Sequence, residues 1–236
     1  MSDKLILALP SKGRLMEQCA SLLARAGLVV TKSGSARGYQ GEIEGMPQAE
    51  VSFVSSSEIA QLLKVGAVHL GITGEDLLRE LIVDCDARID LLVPCGFGQA
   101  DVVVAVPAAW IDVRHMADLE EMAEAFRRAH GRRVRVATKY MNLTRRFFAQ
   151  KGVTLYQTVS SLGATEGAPA AELAELIVDI TTTGATLRAN ALKVLDDGVI
   201  LRSQANLVSS KAAPWSPALR EVERQLVARL AASTAG

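Results

Sequence analysis

The alternation of short apolar runs with longer amphipathic stretches is the feature that most constrains this chain. KLILAL is followed by LMEQCASLLARAG, AEVSFV by SEIAQLLKVG, and VHLGIT by GEDLLRELIV. Short apolar runs of this kind predict strands, and the amphipathic stretches predict helices. Strands that alternate with helices indicate βαβ units, so we predict an α/β fold with mainly parallel sheets.

The same alternation starts again after DLLVPCGFG, in which Pro and Gly interrupt the apolar pattern. ADVVVAVP predicts a new strand, and ADLEEMAEAFRRAHG, RRVRVAT, KYMNLTRRFFAQKG and VTLYQTV continue the series of helices and strands. LIVDI is apolar without a break, which is typical of a strand buried on both faces. We therefore predict two lobes, with a boundary near residue 95.

Composition and charge exclude several classes of protein. Acidic and basic residues balance at 26 each, so no overall field attracts nucleic acid or an anionic membrane. The N-terminal apolar run is too short for a signal peptide, and no segment approaches about eighteen apolar residues. The three cysteines form no CxxC pair and the three histidines lack metal-ligand spacing. We expect a cytoplasmic protein that binds neither nucleic acid nor a membrane.

Hydroxyl side chains crowd around one glycine after the LIVDI strand. The strand ends at Asp179, and TTTGATL follows. Gly184 lets the backbone approach an anion, and Thr182, Thr183 and Thr186 offer hydroxyl donors, so the segment fits a phosphate cradle at the end of a strand. Asp179 is placed to accept hydrogen bonds from sugar hydroxyls. A threonine-rich turn that caps a helix explains the loop equally well.

A basic turn follows the first predicted strand. In LALPSKGRL, Lys12, Gly13 and Arg14 come just before a predicted helix, which suits a polyphosphate at the carboxyl end of the strand. A solvated basic turn is the alternative. HLGITGEDLL and RVATKYMNLTRRFF also place glycines and charges at strand ends, although a tight turn and a solvated helix face explain them as well.

Four segments, taken in this order, resemble the ATP phosphoribosyltransferases, which catalyse the first step of histidine biosynthesis. They are ALPSKGRL, GITGEDLL, RVATKYMNLTRRFF and VDITTTGATLRAN. The most specific feature is ATKYxNxTRxxF followed by a VDxxxTGxTLRAN loop, and the resemblance covers nearly the whole chain. The chain stops near residue 236 without the C-terminal regulatory domain of the long form, so the short form is expected.

The resemblance implies two lobes like those of periplasmic binding proteins (type II), with the chain crossing to the second lobe and returning. Lobe one then comprises residues 1–95 and 190–236, with the nucleotide and dimer contacts, and takes in GVILRSQANLVSS. Lobe two comprises residues 96–189 and carries the loop for phosphoribosyl pyrophosphate. The implied reaction joins N1 of the adenine of ATP to C1′ of phosphoribosyl pyrophosphate and releases pyrophosphate, with Mg²⁺ bound with the substrate.

The resemblance also implies roles for individual residues. The loop for the 5′-phosphate comprises Thr182, Thr183, Gly184, Ala185 and Thr186, with Asp179 and Glu166 near the ribose. The catalytic cations, near ATP or the departing pyrophosphate, are Lys12, Arg14 and Arg37. Candidates on the nucleotide side are Gly13, Gly74, Asp76, Lys139 and Tyr140. The chain departs from the family pattern at Ser55, where many members carry arginine, and at Ala100, where many carry cysteine.

The resemblance implies two kinds of assembly, a homodimer and a hetero-oligomer with a regulatory subunit related to histidyl-tRNA synthetase. Two other functions remain open at this point. A solute-binding module shares this type of lobe without any chemistry. A nucleobase-salvage phosphoribosyltransferase uses the same sugar donor with a free base.

Overall fold

The structure is a computed structural model that describes residues 4–32, 40–161 and 163–234. The chain divides into two compact units. The first comprises Met1–Gly98 and Gln204–Gly236, and the second comprises Gln99–Ser203. Each unit is a sheet covered by helices, as predicted for an α/β fold.

The first unit contains a seven-stranded sheet in the order β2-β3-β4-β1-β5-β12-β6. Numbered along the whole chain, its elements are β1 (Leu5–Pro10), α1 (Gly13–Arg25), β2 (Val30–Lys32), β3 (Gln40–Ile43), β4 (Ala49–Val54), α2 (Ser56–Val65), β5 (Leu70–Gly74), α3 (Glu75–Leu81), α4 (Cys85–Arg88), β6 (Ile89–Pro94), β12 (Ala205–Ser210) and α8 (Pro217–Thr234).

Strand β1 lies in the interior of this sheet because both of its faces are apolar. Leu5, Leu7 and Leu9 pack in one core cluster with residues of α1 and α8. Ala8, which points to the opposite face, packs in a second cluster with residues of α2 and α3. Successive side chains of a strand alternate between faces, so the continuous apolar run LILAL covers both.

The second unit contains a five-stranded sheet in the order β11-β7-β10-β8-β9. Its elements are β7 (Ala100–Pro107), α5 (Met116–His130), β8 (Val134–Thr138), α6 (Met141–Gln150), β9 (Tyr156–Ser160), a 3₁₀ turn (Thr165–Gly167), β10 (Leu176–Thr181), α7 (Ala185–Ala189) and β11 (Leu192–Ser203). The LIVDI segment forms β10 beside β7 and β8, and Leu176, Ile177 and Val178 are fully buried.

Both sheets are mixed, whereas the sequence predicted mainly parallel ones. The βαβ connections do produce parallel neighbours, with β1 between β4 and β5 and β8 between β9 and β10. The antiparallel pairs are β2–β3, β3–β4, β7–β10, β7–β11, β5–β12 and β6–β12. Parallel neighbours need a crossover of about a dozen residues or more, whereas only residues 44–48 join β3 to β4, and β7 and β12 pair with strands far from them in the sequence.

The chain returns to the first unit later than the sequence indicated. The entry into the second unit, after Gly98, lies close to the predicted boundary near residue 95. The return comes at Gln204 rather than near residue 190, because the long strand β11 pairs antiparallel with β7. Of the segment GVILRSQANLVSS, only the part that forms β12 therefore belongs to the first unit.

Two further expectations concern cysteines and membranes. Cys19, Cys85 and Cys95 are buried and form no disulfide among the described residues, and burial raises the pKa of the Cys95 thiol to about 12. No helix within the described residues has the length and apolar character that a membrane span needs.

Candidate active site

A concavity forms where β10 ends. Its volume is about 310 Å³, at the lower end of the range for small-molecule sites of about 300 to 1,000 Å³. Residues of β7, the 3₁₀ turn, β10 and α7 line it, namely Ala100, Glu166, Asp179, Ile180, Thr181, Thr182, Thr183, Ala185, Thr186 and Leu187. Six of the seven residues that the sequence assigned to the sugar phosphate thus line one cavity within the second unit.

The threonine loop, residues 181–186, is held by its own hydrogen bonds. The Thr181 hydroxyl accepts from the N–H of Gly184 at 2.9 Å, and the Thr183 hydroxyl accepts from the N–H of Ala185 at 3.3 Å. Arg188 Nη1 donates to the Thr183 carbonyl at 3.0 Å. Gly184, the seventh predicted residue, has a φ of +70°, a conformation that favours glycine. These hydrogen bonds and the conformation of Gly184 therefore fix the shape of the loop.

The threonine hydroxyls of the loop differ in whether they already donate a hydrogen bond within the protein. Thr182 Oγ1 donates to the carbonyl of Gln99 at 3.4 Å. Within the described part of the chain, the hydroxyls of Thr183 and Thr186 donate to no acceptor. Helix α7 has only five residues, so its dipole is small, and the expected contribution of a helix N-terminus is correspondingly limited. Hydroxyls are thus the main donors here.

Asp179 is a largely buried charged residue of the cavity, with a side chain that is 15% exposed. Burial raises the pKa of this carboxyl. The nearby carboxylate of Glu166 raises it further, whereas the Ile180 N–H, the Lys139 ammonium and the Thr165 hydroxyl lower it. Among the residues that the structure describes, Oδ1 of Asp179 is buried without a hydrogen-bond partner. Such an atom is ready to accept from a ligand hydroxyl.

Glu166 reaches the same cavity from the 3₁₀ turn. The preceding Thr165 is buried, and its hydroxyl lies 2.9 Å from the hydroxyl of Ser161. This contact fixes the turn beside β10, and Glu166 lines the cavity. The two acidic residues expected near a ribose are therefore brought together.

Lys139 and Tyr140 follow β8 and lie in the second unit, although the sequence grouped them with the nucleotide candidates. Lys139 Nζ lies 3.9 Å from Asp179 Oδ1. Tyr140 is 1% exposed, and its ring packs in the core of the unit. Its backbone N–H donates to the Thr138 hydroxyl at 2.8 Å, which shapes the start of α6. The pair therefore belongs to the surroundings of Asp179.

The basic turn lies in the first unit. Lys12 occupies the N-cap position of α1 and makes no capping hydrogen bond with its side chain. Gly13 has a φ of +75°, and a Cβ atom there would meet nothing within 4 Å. Lys12 and Arg14 are exposed, and neither has a partner within the part of the chain that is described. Arg37, the third predicted cation, lies outside the described residues.

The other nucleotide candidates share an edge with the basic turn. Because β4, β1 and β5 are parallel neighbours, their carboxyl ends meet at one edge of the sheet. Gly74 ends β5 with an ordinary φ of −71°, and Asp76 follows it, buried, in the first turn of α3. Ser55, which departs from the family pattern, follows β4, and its hydroxyl caps α2 by accepting from the N–H of Glu58.

No dedicated metal cage is evident in the described residues. There, no group of three or more His, Cys, Asp or Glu side chains is arranged to hold a metal ion. Mg²⁺ usually keeps several waters and binds through substrate phosphates together with one or two carboxylates. A magnesium ion that arrives with a pyrophosphate group needs no such cage.

Three residues that shape the site were not predicted from the sequence. Thr181 and Arg188 hold the threonine loop, and Thr165 fixes the turn that carries Glu166. Their positions in TTTGATLRAN and GATEGAP were visible, but their partners were not. Arg188 in particular stands only five residues after Thr183, which places it within reach of the loop carbonyl.

Comparisons with a family model and with curated relatives point to the same protein family. A model described as ATP phosphoribosyltransferase matches residues 55–232. Curated relatives named ATP phosphoribosyltransferase include one from Rhodopseudomonas palustris (strain BisA53), 61% identical over 231 residues, and one from Bradyrhizobium diazoefficiens, 60% identical over 232 residues. Each alignment covers 98% of this chain and 71% of the relative.

Solved structures agree. The ATP phosphoribosyl transferase (HisG:HisZ) complex from Thermotoga maritima matches with a TM-score of 0.71 and 27% identity, covering 98% of this chain and 97% of that chain. The alkanesulfonate-binding protein SsuA from Xanthomonas axonopodis pv. citri matches with a TM-score of 0.53 and 16% identity, covering 98% of this chain and 73% of that chain. The second likeness shows the fold alone.

These findings confirm the predicted fold of the periplasmic-binding-protein type, and the transferase prediction with it. They do not favour the solute-binding module or the nucleobase-salvage enzyme, because all of the curated relatives cited carry one enzyme name. The chain therefore belongs to the ATP phosphoribosyltransferase family, whose enzymes catalyse the first step of histidine biosynthesis.

Proposed function

We propose that the cavity of the second unit binds phosphoribosyl pyrophosphate. The threonine loop would hold the 5′-phosphate through the hydroxyls of Thr183 and Thr186, and Asp179 and Glu166 would accept hydrogen bonds from the ribose hydroxyls. The observation that carries this proposal is the buried, unpartnered Oδ1 atom of Asp179 within a cavity that the loop also lines.

The first unit would supply the nucleotide side. Lys12 and Arg14 stand at the carboxyl end of β1 without partners among the described residues, and Arg37 is the third cation that we assign to this role. Gly74 and Asp76 follow the neighbouring strand β5. Arginine suits the oxygens of ATP or of the departing pyrophosphate because its planar fork keeps its charge and donates two parallel hydrogen bonds.

The reaction then needs no covalent nucleophile from the protein. N1 of adenine attacks C1′ of the sugar, and the electron pair of the C1′–O bond leaves with pyrophosphate, which Mg²⁺ accompanies. Positive charge grows on the sugar beside Asp179, and negative charge grows on the departing pyrophosphate. Positioning and fixed charges would supply most of the rate enhancement.

One experiment tests the substrates directly. The protein is incubated with Mg²⁺, phosphoribosyl pyrophosphate and either ATP or free purines, and pyrophosphate release and adduct absorbance are measured. We expect pyrophosphate release and adduct absorbance when ATP is the acceptor, and neither signal when a free purine is the acceptor. Release with free purines instead would indicate a nucleobase-salvage enzyme, and binding without release would indicate a solute-binding module. Both results contradict the proposal.

We further propose that the chain works in the cytoplasm as a homodimer that joins a regulatory subunit related to histidyl-tRNA synthetase. The support is the similarity to the HisG:HisZ complex from Thermotoga maritima. A partner that senses histidine inhibits only if histidine favours a less active arrangement, with a coupling free energy of about 1 to 3 kcal/mol.

The regulatory proposal has its own test. The chain alone, studied by light scattering and by activity assay, should be a dimer that responds little to histidine. Strong, saturable inhibition of the isolated chain by histidine, at a site distinct from both substrates, would contradict the assignment of histidine sensing to a partner.

A further inference from the structure

The register of the second sheet brings Lys139 beside Asp179. Strands β8 and β10 are parallel neighbours, and Thr138 pairs with Val178. Lys139 follows Thr138 and Asp179 follows Val178, so the two residues lie side by side at the same edge of the sheet. Their Nζ and Oδ1 atoms are 3.9 Å apart.

This separation gives an electrostatic contact without a hydrogen bond. Hydrogen bonds from an ammonium to a carboxylate are about 2.7 to 2.9 Å long, so 3.9 Å leaves Oδ1 unpartnered. The Lys139 side chain is 42% exposed, and its Nζ lies 5.1 Å from the centroid of the Tyr140 ring. The buried Tyr140 ring thus supports the ammonium, which stays in contact with water.

A nearby cation would help to keep the Asp179 carboxyl ionised. It is a buried carboxyl with a second acid, Glu166, beside it, and both influences favour the protonated form. A protonated Asp179 would keep one oxygen as a donor, and it would attract a developing positive charge on the sugar less strongly. A cation that bonded directly to Oδ1 would keep Asp179 ionised but would occupy the acceptor.

We propose that Lys139 is a positioning residue that keeps Asp179 ionised while leaving its Oδ1 atom free to accept a hydrogen bond from a ribose hydroxyl. This inference rests on the proposed binding of phosphoribosyl pyrophosphate in the cavity. Lys139 acts through Asp179 and does not contact the reacting atoms.

The charged groups around Asp179 within the described residues support this role. Lys139 acts on it from the end of β8, and Glu166 acts on it from the 3₁₀ turn. The remaining lining residues of the cavity carry no charge. Arg188 on α7 is engaged with the Thr183 carbonyl. Lys139 is therefore the cation whose removal should change the titration of Asp179.

The experiment compares Lys139→Met, Lys139→Arg and a control, Lys151→Met, in the full chain. Lys151 forms an ion pair with Asp197 at 2.9 Å, elsewhere in the same unit. The titration of Asp179 is followed by carboxyl ¹³C NMR, with the signal assigned from Asp179→Asn. Binding of phosphoribosyl pyrophosphate is followed by calorimetry over the same pH range.

We expect Lys139→Met to raise the pKa of Asp179, because the cation that favours the charged form is gone. At the acid end of the range, phosphoribosyl pyrophosphate should then bind about tenfold more weakly than to the wild type, since one pKa unit corresponds to a factor of ten. The loss should shrink as pH rises and Asp179 loses its proton. Lys139→Arg should restore both measurements, and Lys151→Met should change neither.

Two results would overturn the proposal. One is an Asp179 titration that is the same in Lys139→Met as in the wild type. The other is a loss of binding that is equal at every pH and is not restored by arginine, which would indicate a direct contact between Lys139 and the substrate. If the wild-type chain binds no phosphoribosyl pyrophosphate, the proposed function is wrong. The NMR titration of Asp179 needs no ligand, so it still tests the effect of Lys139 on Asp179 separately.

Discussion

The two strand ends that carry the candidate chemistry differ in how they are held. At the end of β10, the threonine loop is folded by hydrogen bonds from Thr181, Thr183 and Arg188, and the loop lines a cavity. At the end of β1, Lys12 and Arg14 are exposed and have no partner within the described residues. The loop at the end of β10 is held by contacts within its own unit, whereas the two cations make none among the described residues.

Substitutions at the two strand ends should therefore affect different properties of the protein. A change at the end of β10 affects both the folded loop and the ligand, so affinity and stability can change together. A change at the basic turn removes a charge that contributes little to the fold, so catalysis should change alone. The following four substitutions, in order of decreasing effect, test that contrast.

Arg14→Ala should lower kcat without changing thermal stability. By analogy with the loss of one oxyanion-hole donor, the barrier should rise by about 2 to 4 kcal/mol, which is roughly 30- to 1,000-fold in rate. Steady-state kinetics and thermal unfolding check this. Arg25→Ala, an exposed arginine in the last turn of the same helix, is the control. Wild-type turnover in Arg14→Ala would remove this residue from the mechanism.

Asp179→Asn should weaken the binding of phosphoribosyl pyrophosphate about 100-fold and leave the binding of ATP nearly unchanged. A hydrogen bond to a charged acceptor contributes about 1.5 to 3 kcal/mol, and the amide removes the charge. Calorimetry with each substrate measures the contrast. Asp196→Asn, at an exposed position in the same unit, should change neither affinity. An unchanged sugar-phosphate affinity would show that the ligand lies elsewhere.

Thr183→Val should weaken phosphoribosyl pyrophosphate binding about 5- to 10-fold. Valine keeps the shape but removes the free donor and the acceptor for the N–H of Ala185, each worth about 0.5 to 1.5 kcal/mol. The same calorimetric titration measures it, with Thr158→Val on β9 as the control. Full affinity in Thr183→Val would contradict the assignment of this hydroxyl to the phosphate.

Gly184→Ala should lower the free energy of unfolding by about 1 kcal/mol, since a left-handed conformation costs an L-residue about 1 to 2 kcal/mol. The φ of +70° is the cause, because the nearest atom to the new Cβ, at 2.9 Å, is the flexible end of Arg188. Thermal unfolding measures the change. Gly163→Ala, where φ is not positive and space is open, should change the stability less. Equal Tm values in the two variants would show that the loop is not strained by a side chain.

The sequence predicted local structure well because local structure depends on local patterns. The run LIVDI predicted a strand buried on both faces, and β10 is one, since Leu176, Ile177 and Val178 are fully buried. The placement of Asp179 before a hydroxyl-rich loop also followed from the chain itself, since a continuous apolar run must end where polar residues begin. Six of the predicted residues meet in one cavity for this reason.

What the sequence could not predict is which strands pair. The segment GVILRSQANLVSS was assigned to lobe one, but nothing local to it shows that its first part belongs to β11 and pairs with β7, so that part was assigned wrongly. The position of Lys139 depends in the same way on the register between β8 and β10. Strand pairing depends on contacts across the whole sheet, and the contact between Lys139 and Asp179 results from that pairing.

The position of β12 in the first sheet has a consequence for the order in which the protein folds. This strand lies between β5 and β6, yet it is synthesised after the whole second unit. On the ribosome, the second unit therefore has its complete sheet before the first one does. Until β12 emerges, β5 has an open edge and β6 lacks the one strand that it pairs with among the described residues, and such edges invite aggregation. We expect the middle of the chain to fold first and chaperones to protect the beginning.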